Sequence, residues 1–213
     1  MSIEIVLSKS PARWGDLPAP TLRPVEPADV PALWQMNYEL HEYEKITHEV
    51  SGTPEMLLAA LFPSEDDKLA GRAMGSAHAV VLERELAPGE VVPGNLKHVV
   101  SAVHPTRLYL GFCVYFFSFA TAFAQYKGHV EDLYVREPYR SFGYGSVLLQ
   151  SVIRHLVVHA NVKCVEWICL DWNCEAIKFY TTKCHACVQD GWSIYRVSGQ
   201  DLENYRDWGV RQT

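Results

Sequence analysis

Residues 131–146 read EDLYVREPYRSFGYGS, and this stretch decides the fold. Strand-forming residues come first, and a turn with the pattern Arg-x-x-Gly-x-Gly follows them. From Val147 to Leu156, apolar side chains recur at helical spacing. The stretch therefore predicts a strand, a glycine-rich turn and a helix start in succession. Such a turn directs several backbone N–H groups at one point, where a phosphate group binds well.

Two familiar nucleotide-binding motifs do not fit this turn. A dinucleotide fingerprint needs a third glycine three residues after the second, and Leu148 stands there. The phosphate loop of NTPases needs Gly-Lys-Ser/Thr, and the stretch contains no lysine. Gly143 and Gly145 lack a Cβ and permit close approach, while Arg140 can add a charged fork. The turn thus predicts another kind of phosphorylated ligand.

Composition favours one α/β domain that binds no nucleic acid and spans no membrane. The chain has 213 residues, 48% of them apolar, which suits one domain with a sizeable core. Its formal net charge of −6 suits cationic substrates rather than nucleic acid. The most apolar run, Leu108 to Ala124, has the β-branched and aromatic content of a buried strand. Six irregularly spaced cysteines, and an N-terminus unlike a signal peptide, favour a cytoplasmic location.

Strands and helices alternate along the chain, which predicts a mixed sheet flanked by helices. We interpret residues 1–20 as an extended leader, 21–208 as one domain, and 86–107 as an insertion. Strands are predicted at 21–25, 77–83, 108–120, 128–135, 164–170 and 193–197. Helices are predicted at 29–44, 54–61, from the glycine-rich turn to His159, at 175–182, and from Ser198 through Leu202 and Tyr205.

Several segments together resemble the GNAT superfamily of acetyl-CoA-dependent N-acetyltransferases, and within it the diamine (spermidine/spermine) and thialysine N-acetyltransferase branch. The matching segments are residues 39–45 (ELHEYEK), 131–135 (EDLYV), the turn at 140–145, and 170–173 (LDWN) with 176–180 (AIKFY). They occur in the family's order over roughly residues 20 to 200. The resemblance implies the GNAT fold, in which a central mixed, mostly antiparallel β-sheet is flanked by helices. It also implies acetyl-CoA as co-substrate without a metal, a small primary amine as substrate, and a homodimer.

The resemblance also assigns roles to catalytic residues. Glu131 matches the base that deprotonates the amine through water, which an alkylamine with a pKa of about 10.4 needs at neutral pH. Tyr180 matches the general acid toward the coenzyme A sulfur. Regular strand alternation would point Glu131 and Asp132 to opposite faces. The alternatives are ion pairing with surface cations for the two carboxylates and core packing for Tyr180.

Further positions are predicted to bind the two substrates. The backbone of the strand is expected to pair with the pantetheine arm, and a bulge in it would direct an N–H at the thioester carbonyl. The branch usually has Gly where this chain has Ser141. The predicted cofactor-binding residues are Leu133, Tyr134, Val135, Arg140, Ser141, Phe142, Gly143, Tyr144, Gly145, Ser146, Asn173 and Ala176. The predicted substrate-binding residues are Tyr43, Glu44, Glu131, Asp132 and Trp192.

The amine substrate and the type of function stay open on sequence alone. Residues 121–125 are neutral where polyamine enzymes carry an Asp, which favours thialysine-like or small amines over spermidine. Protein or peptide N-acetylation is an alternative, and a non-catalytic acyl-CoA-binding module is another. Cys184 and Cys187 lack the second ligand pair that a zinc site needs, so we expect buried free thiols.

Overall fold

The computed structural model describes residues 5–6, 17–69 and 77–205, and in these parts of the chain one six-stranded sheet forms the centre. Its strands are β1 (Ile5–Val6), β2 (Thr21–Pro24), β3 (His78–Glu85), β4 (Arg107–Ala120), β5 (Gln125–Val135) and β6 (Val165–Trp167). They lie side by side in chain order. All neighbours are antiparallel except β5 and β6, which are parallel. The predicted mixed, mostly antiparallel sheet is confirmed.

Helices flank this sheet. They are α1 (Val30–Glu44), α2 (Pro54–Leu61), α3 (Glu65–Leu69), α4 (Tyr144–Ala160), α5 (Cys174–Lys183) and α6 (Gly199–Glu203). The start of α2 and the end of α1 follow known helix-capping preferences. The Thr53 side chain accepts a hydrogen bond from the Met56 N–H and so caps α2, which has Pro54 as its first residue. Helix α1 stops at Lys45, whose φ of 62° is left-handed.

Each face of the sheet has its own apolar core. On one face, Leu148, Leu149 and Val152 of α4 pack against inward-facing residues of β3, β4 and β5. On the other, Leu33, Met36 and Leu40 of α1 do the same. The helical spacing of these residues is what predicts both helices, because i, i+3 and i+4 positions share one face. The two cores fix α1 and α4 on opposite sides of β5.

A bulge interrupts the pairing of β4 with β5. Val114 pairs with Asp132, and the next residue, Tyr115, pairs with Val130. Glu131 therefore has no pairing partner in β4 and is the extra residue of the bulge. An extra residue breaks the strict alternation of side chains between the two faces. The alternation predicted for Glu131 and Asp132 is therefore wrong at this point, although the predicted strand is present and bulged.

Strands β5 and β6 separate soon after they meet. Only Gly128, His129 and Val130 pair with β6, at Val165, Glu166 and Trp167. Beyond Val130, among the described residues, no strand pairs with the outer edge of β5. A gap therefore opens beside residues 131–135, and the bulge lies at its start.

Several predicted elements differ from the structure. Strand β3 continues to Glu85, two residues past its predicted end, and β5 begins at Gln125, three residues before its predicted start. Strand β6 covers only 165–167 of the predicted 164–170, because its partner diverges there. The strand predicted at 193–197 is wrong, since these residues have neither helix nor strand geometry and are exposed. The last helix is present as α6 but ends at Glu203, before Tyr205. Residues 1–4, 7–16, 70–76 and 206–208 of the predicted leader and domain lie outside the described residues.

The segment between β3 and β4 packs against the sheet. Val99 and Ser101 are buried. The Ser101 N–H donates to the Arg107 carbonyl at 2.8 Å, and the Tyr109 N–H donates to the Val99 carbonyl at 2.8 Å. These bonds join the end of the segment to the start of β4.

Candidate active site

The glycine-rich turn leads from the end of β5 into α4. One turn of 3₁₀ helix, Glu137–Tyr139, precedes it. Ser141 and Gly143 then adopt left-handed backbone angles, with φ of 68° and 85°. This region favours glycine, so Ser141 holds its conformation at a cost of about 1 kcal/mol. The first N–H groups of a helix have no partner inside it, and here they are the donors suited to an anion.

The side chain of Arg140 lies against the strand. Its Nε donates to the Val135 carbonyl at 2.9 Å. Its guanidinium lies over the ring of Tyr43, at 4.8 Å, and over that of Tyr134, at 5.4 Å. Arg140 therefore joins the turn to β5 and α1, a role that the pattern Arg-x-x-Gly-x-Gly does not by itself predict.

Asp132 lies on the α1 face of the sheet. Asn37 of α1 donates to its Oδ2 at 3.3 Å. Burial raises the pKa of Asp132 from its ordinary 3.8 to about 6, and the charges of Glu131 and Glu44 add to the rise. His41 and the Asn37 hydrogen bond oppose it. Asp132 thus has a strongly perturbed pKa, a property that accompanies functional carboxylates.

Glu131 is the more exposed carboxylate, with 58% of its side chain accessible. Its Oε2 lies 3.7 Å from the Nε2 of His129. The register of β4 and β5 places His129 on the same face as Asp132, because their partners Phe116 and Val114 are two residues apart. The bulge thus brings Glu131, Asp132 and His129 together at the start of the gap.

Tyr180 lies near the same gap, on α5. Its ring is 5.1 Å from the ring of Trp167, the last residue of β6. Burial raises its pKa above the ordinary value, and the neighbouring thiols of Cys169, Cys113 and Cys184 add to the rise. The phenol is therefore held in its protonated form across the neutral pH range, as a proton donor requires.

The C-terminal turn of α1 meets the segment before α5. The Tyr43 hydroxyl donates to Asn173 Oδ1 at 3.2 Å, and the same oxygen accepts from the Ala176 N–H at 3.2 Å. Asn173 therefore both caps α5 and contacts the predicted amine site. Trp172 lies beside Tyr43, with ring centroids 5.8 Å apart. Burial raises the pKa of Glu44, against the opposing charge of His41.

One predicted substrate residue lies apart from this group. Trp192 is 85% exposed, in the irregular segment that precedes α6. By contrast, sequence reasoning missed Asn37, His41 and His129. Asn37 gave a usable signal, because it is a polar residue in the apolar stripe of α1. His129 gave no such signal, because the bulge in β5 determines that His129 and Asp132 lie on the same face of the sheet.

Other chemistries find little support in the described residues. No three His, Cys, Asp or Glu side chains in that part of the chain converge to hold a metal ion. All six cysteines are free. Cys184 is half-buried and Cys187 is exposed, so the expected burial is wrong for Cys187, which lies in an irregular segment after α5. Among the described helices, none has the length and apolar character to cross a membrane.

Known proteins resemble this chain in sequence and fold. The profile described as the acetyltransferase (GNAT) family matches residues 33–186. L-ornithine N5-acetyltransferase NATA1 of Arabidopsis thaliana is 29% identical over 205 residues, covering 85% of this chain and 86% of that protein. Thialysine N-epsilon-acetyltransferase of Mus musculus is 26% identical over 185 residues, covering 85% and 94%. An aminoglycoside acetyltransferase from an uncultured soil metagenomic sample has the same fold, with a TM-score of 0.56, 13% identity, and coverage of 84% and 97%.

Proposed function

The chain belongs to the GNAT family of acetyltransferases, as the sequence predicted, and we propose that it transfers the acetyl group of acetyl-CoA directly to a primary amine of a small molecule. The family uses acetyl-CoA as co-substrate. The observation that carries the proposal is the position of Asp132. This partly buried carboxylate lies with Glu44 and Glu131 at the start of the gap beside β5. A cationic amine placed there would meet negative charge next to the strand that is proposed to hold the thioester.

The proposed coenzyme site uses the gap and the turn. Residues 133–135 lie at the strand edge that β6 leaves unpaired. Apart from the Val135 carbonyl, which accepts from Arg140, their outward N–H and carbonyl groups are proposed to bind the amide-bearing arm of the coenzyme. The turn from Ser141 to Ser146 is proposed to offer backbone N–H groups to its pyrophosphate. Gly145 leaves room for close approach, because a Cβ there would meet only the Phe179 and Val135 side chains, at 3.8 and 4.0 Å. Asn173, which caps α5, and Ala176 in its first turn are also proposed to contact the coenzyme.

The proposed reaction needs a proton acceptor and a proton donor. Glu131, through water, is the proposed base toward the amine, and Asp132 holds the ammonium beside it. The N–H at the bulge is the proposed donor to the thioester oxygen, and Tyr180 protonates the departing thiolate. The place of Tyr180 on α5, with its ring beside Trp167 at the end of β6 and next to the gap, supports that role.

For the amine, we propose a diamine or a lysine-like amino acid that carries its reactive amine at the end of its side chain. The relatives act on ornithine and thialysine by their names, and both compounds carry such an amine. Tyr43, Glu44 and Asp132 are the proposed contacts. The aromatic ring of Tyr43 suits an ammonium group through cation–π attraction.

The test is release of coenzyme A thiol from acetyl-CoA across a panel of acceptors. The panel contains ornithine, thialysine, lysine, putrescine, spermidine and a lysine-containing peptide. We expect turnover on one or more free small amines and little on the peptide. Turnover on the peptide alone would contradict the small-molecule assignment. Tight binding of acetyl-CoA without turnover on any acceptor would contradict the enzymatic one.

We also infer a homodimer located in the cytoplasm. Large apolar side chains are exposed in the segment before α6, among them Val188, Ile194 and Tyr195. Such exposure is typical of a surface that another chain covers. The six free cysteines suit a reducing compartment. Sedimentation equilibrium of the purified protein at micromolar concentration would give the mass of a monomer if the dimer inference is wrong.

A further inference from the structure

Arg136 follows β5 directly and is completely buried. Its guanidinium forms a two-bond fork with Glu39 of α1, from Nε to Oε2 at 3.1 Å and from Nη2 to Oε1 at 3.1 Å. A buried ion pair of this geometry holds two elements in one relative position, because breaking it leaves an unpaired buried charge. The pair therefore connects the end of the coenzyme strand to the helix that bears Tyr43 and Glu44.

The same guanidinium also holds the segment between β3 and β4. Nη2 donates to the Lys97 carbonyl at 2.8 Å, and Nη1 donates to the His98 carbonyl at 3.3 Å. His98 has a left-handed φ of 46°, which is unfavourable for a side chain with a Cβ. A strained backbone persists where its surroundings require it, and here the two carbonyls meet a buried cation.

Neighbouring contacts extend this arrangement to both proposed substrate sites. The Tyr134 hydroxyl donates to Glu39 Oε2 at 3.4 Å. The Tyr134 ring also lies beneath the guanidinium of Arg140, which covers Tyr43 as well. On the other side, the Arg136 carbonyl accepts from the Tyr139 N–H at 2.9 Å and so begins the turn that leads to Arg140. Arg136 thus contacts α1, the 97–98 segment and the base of the coenzyme turn.

We propose that Arg136 is a positioning residue for both substrates, and that the segment around residues 97–98 serves as its support. Arg136 fixes the distance between the coenzyme turn and the amine-binding end of α1. The proposal rests on the proposed function of these two sites. Lysine cannot replace arginine here, because an ammonium group lacks the planar fork that reaches Glu39 and both carbonyls at once.

The experiment compares Arg136→Lys with Arg23→Lys. Arg23 is a matched control, since it is also buried and paired, through Asp29 at 2.7 Å and Glu83 at 3.1 Å, but lies on β2 away from the site. We expect both variants to have a lower Tm. Only Arg136→Lys should weaken coenzyme A binding and raise the KM for the amine, each about tenfold, with a smaller change in kcat.

Amide hydrogen exchange provides a readout that does not depend on activity. Arg136→Lys should speed exchange in residues 97–99 and 140–146, and Arg23→Lys should not. Residues 100–101 are left out of the comparison, because Arg23 donates to Ser101 Oγ at 3.4 Å. Unchanged exchange in both segments, or equal changes in the control, would overturn the proposal. If neither lysine variant folds, Glu39→Gln and Asp29→Asn replace them as a milder pair. A wild-type protein without turnover would contradict the proposed function, whereas the exchange comparison would still decide the role of Arg136.

Discussion

Asp132 combines two opposing requirements in one side chain. Burial and the nearby carboxylates of Glu131 and Glu44 disfavour its negative charge, while an ammonium ligand needs that charge. Burial and the neighbouring carboxylates raise the pKa of Asp132 to about 6. A cation bound beside the carboxylate would lower that pKa again. Such a residue lowers stability for the benefit of binding, a trade that is common at functional sites.

Asp132→Asn should therefore make the protein more stable and less active. The folded-state pKa is raised, so folding favours the protonated form and the ionised form is penalised above about pH 6. The neutral amide removes this penalty, which we expect to be worth about 1–2 kcal/mol at pH 8 and to vanish below about pH 4. Urea unfolding at several pH values measures it.

Glu131→Gln is the control for the stability part of this prediction. Glu131 is adjacent but mostly exposed, so its replacement should change stability by less than about 0.5 kcal/mol. In kcat/KM for the amine, wild type should show an acid limb near pH 6, which Asp132→Asn should lack. Glu131→Gln removes the proposed base, so it should lower kcat and shift the pH optimum upward. A limb that persists in Asp132→Asn would show that another group titrates there.

Tyr180→Phe tests the proton donor. The phenyl ring preserves the packing against Trp167 and Phe179, so Tm should change by no more than a few degrees. Loss of the donor should lower kcat about 100-fold with little change in the KM for acetyl-CoA. Steady-state thiol release measures both constants. Near-normal turnover on the best amine would exclude Tyr180 as the acid.

At the scale of elements, the close pairing of β4 with β5 shapes the coenzyme strand. Gly111 pairs with Val135, and a Cβ on Gly111 would lie 2.2 Å from the Tyr134 carbonyl oxygen. That neighbour is backbone, so it cannot turn aside as a side chain does. The glycine thus permits the end of β5 to approach β4 closely.

Gly111→Ala should displace β5 where the coenzyme arm is proposed to bind. We expect the free energy of unfolding to fall by about 3 kcal/mol, as overpacking does when the backbone must move. Coenzyme A affinity, measured by titration calorimetry, should fall as well. Gly94→Ala is the control, because its Cβ would meet no atom within 4 Å. Equal affinities in both variants would contradict this account.

Elements with a strong periodic pattern were predictable from sequence. The apolar spacing of α1 and α4, and the long apolar run of β4, predicted these elements to within a few residues. The bulge at Glu131 was expected in the strand but not located, because it arises from the register of two strands that meet only in the fold. The strand predicted at 193–197 failed for a related reason. Residues such as Ile194 and Tyr195 favour strands, but a strand also needs a neighbour to pair with.

At the scale of the whole molecule, the candidate site is assembled from distant parts of the chain. Tyr43 comes from the end of α1, Asp132 from β5 and Tyr180 from α5. The resemblance to a family identified all three residues. Their distances from one another depend on how the helices pack against the two faces of the sheet. Arg136 shows the limit of sequence reasoning most clearly. Nothing in the sequence around it distinguishes a buried ion pair from a surface arginine.

The open edge of β5 affects how readily the protein aggregates when no coenzyme A is bound. A strand edge with unpaired N–H and carbonyl groups is a template on which a strand of another molecule can add. Leu133, Tyr134 and Val135 have the residue types that promote such addition. Coenzyme A bound along that edge would shield it, so we expect saturating coenzyme A to suppress heat-induced light scattering beyond what its effect on Tm explains. Scattering that simply followed Tm would contradict this. If coenzyme A suppresses scattering in this way, more of the protein should stay soluble on expression in cells that hold more coenzyme A.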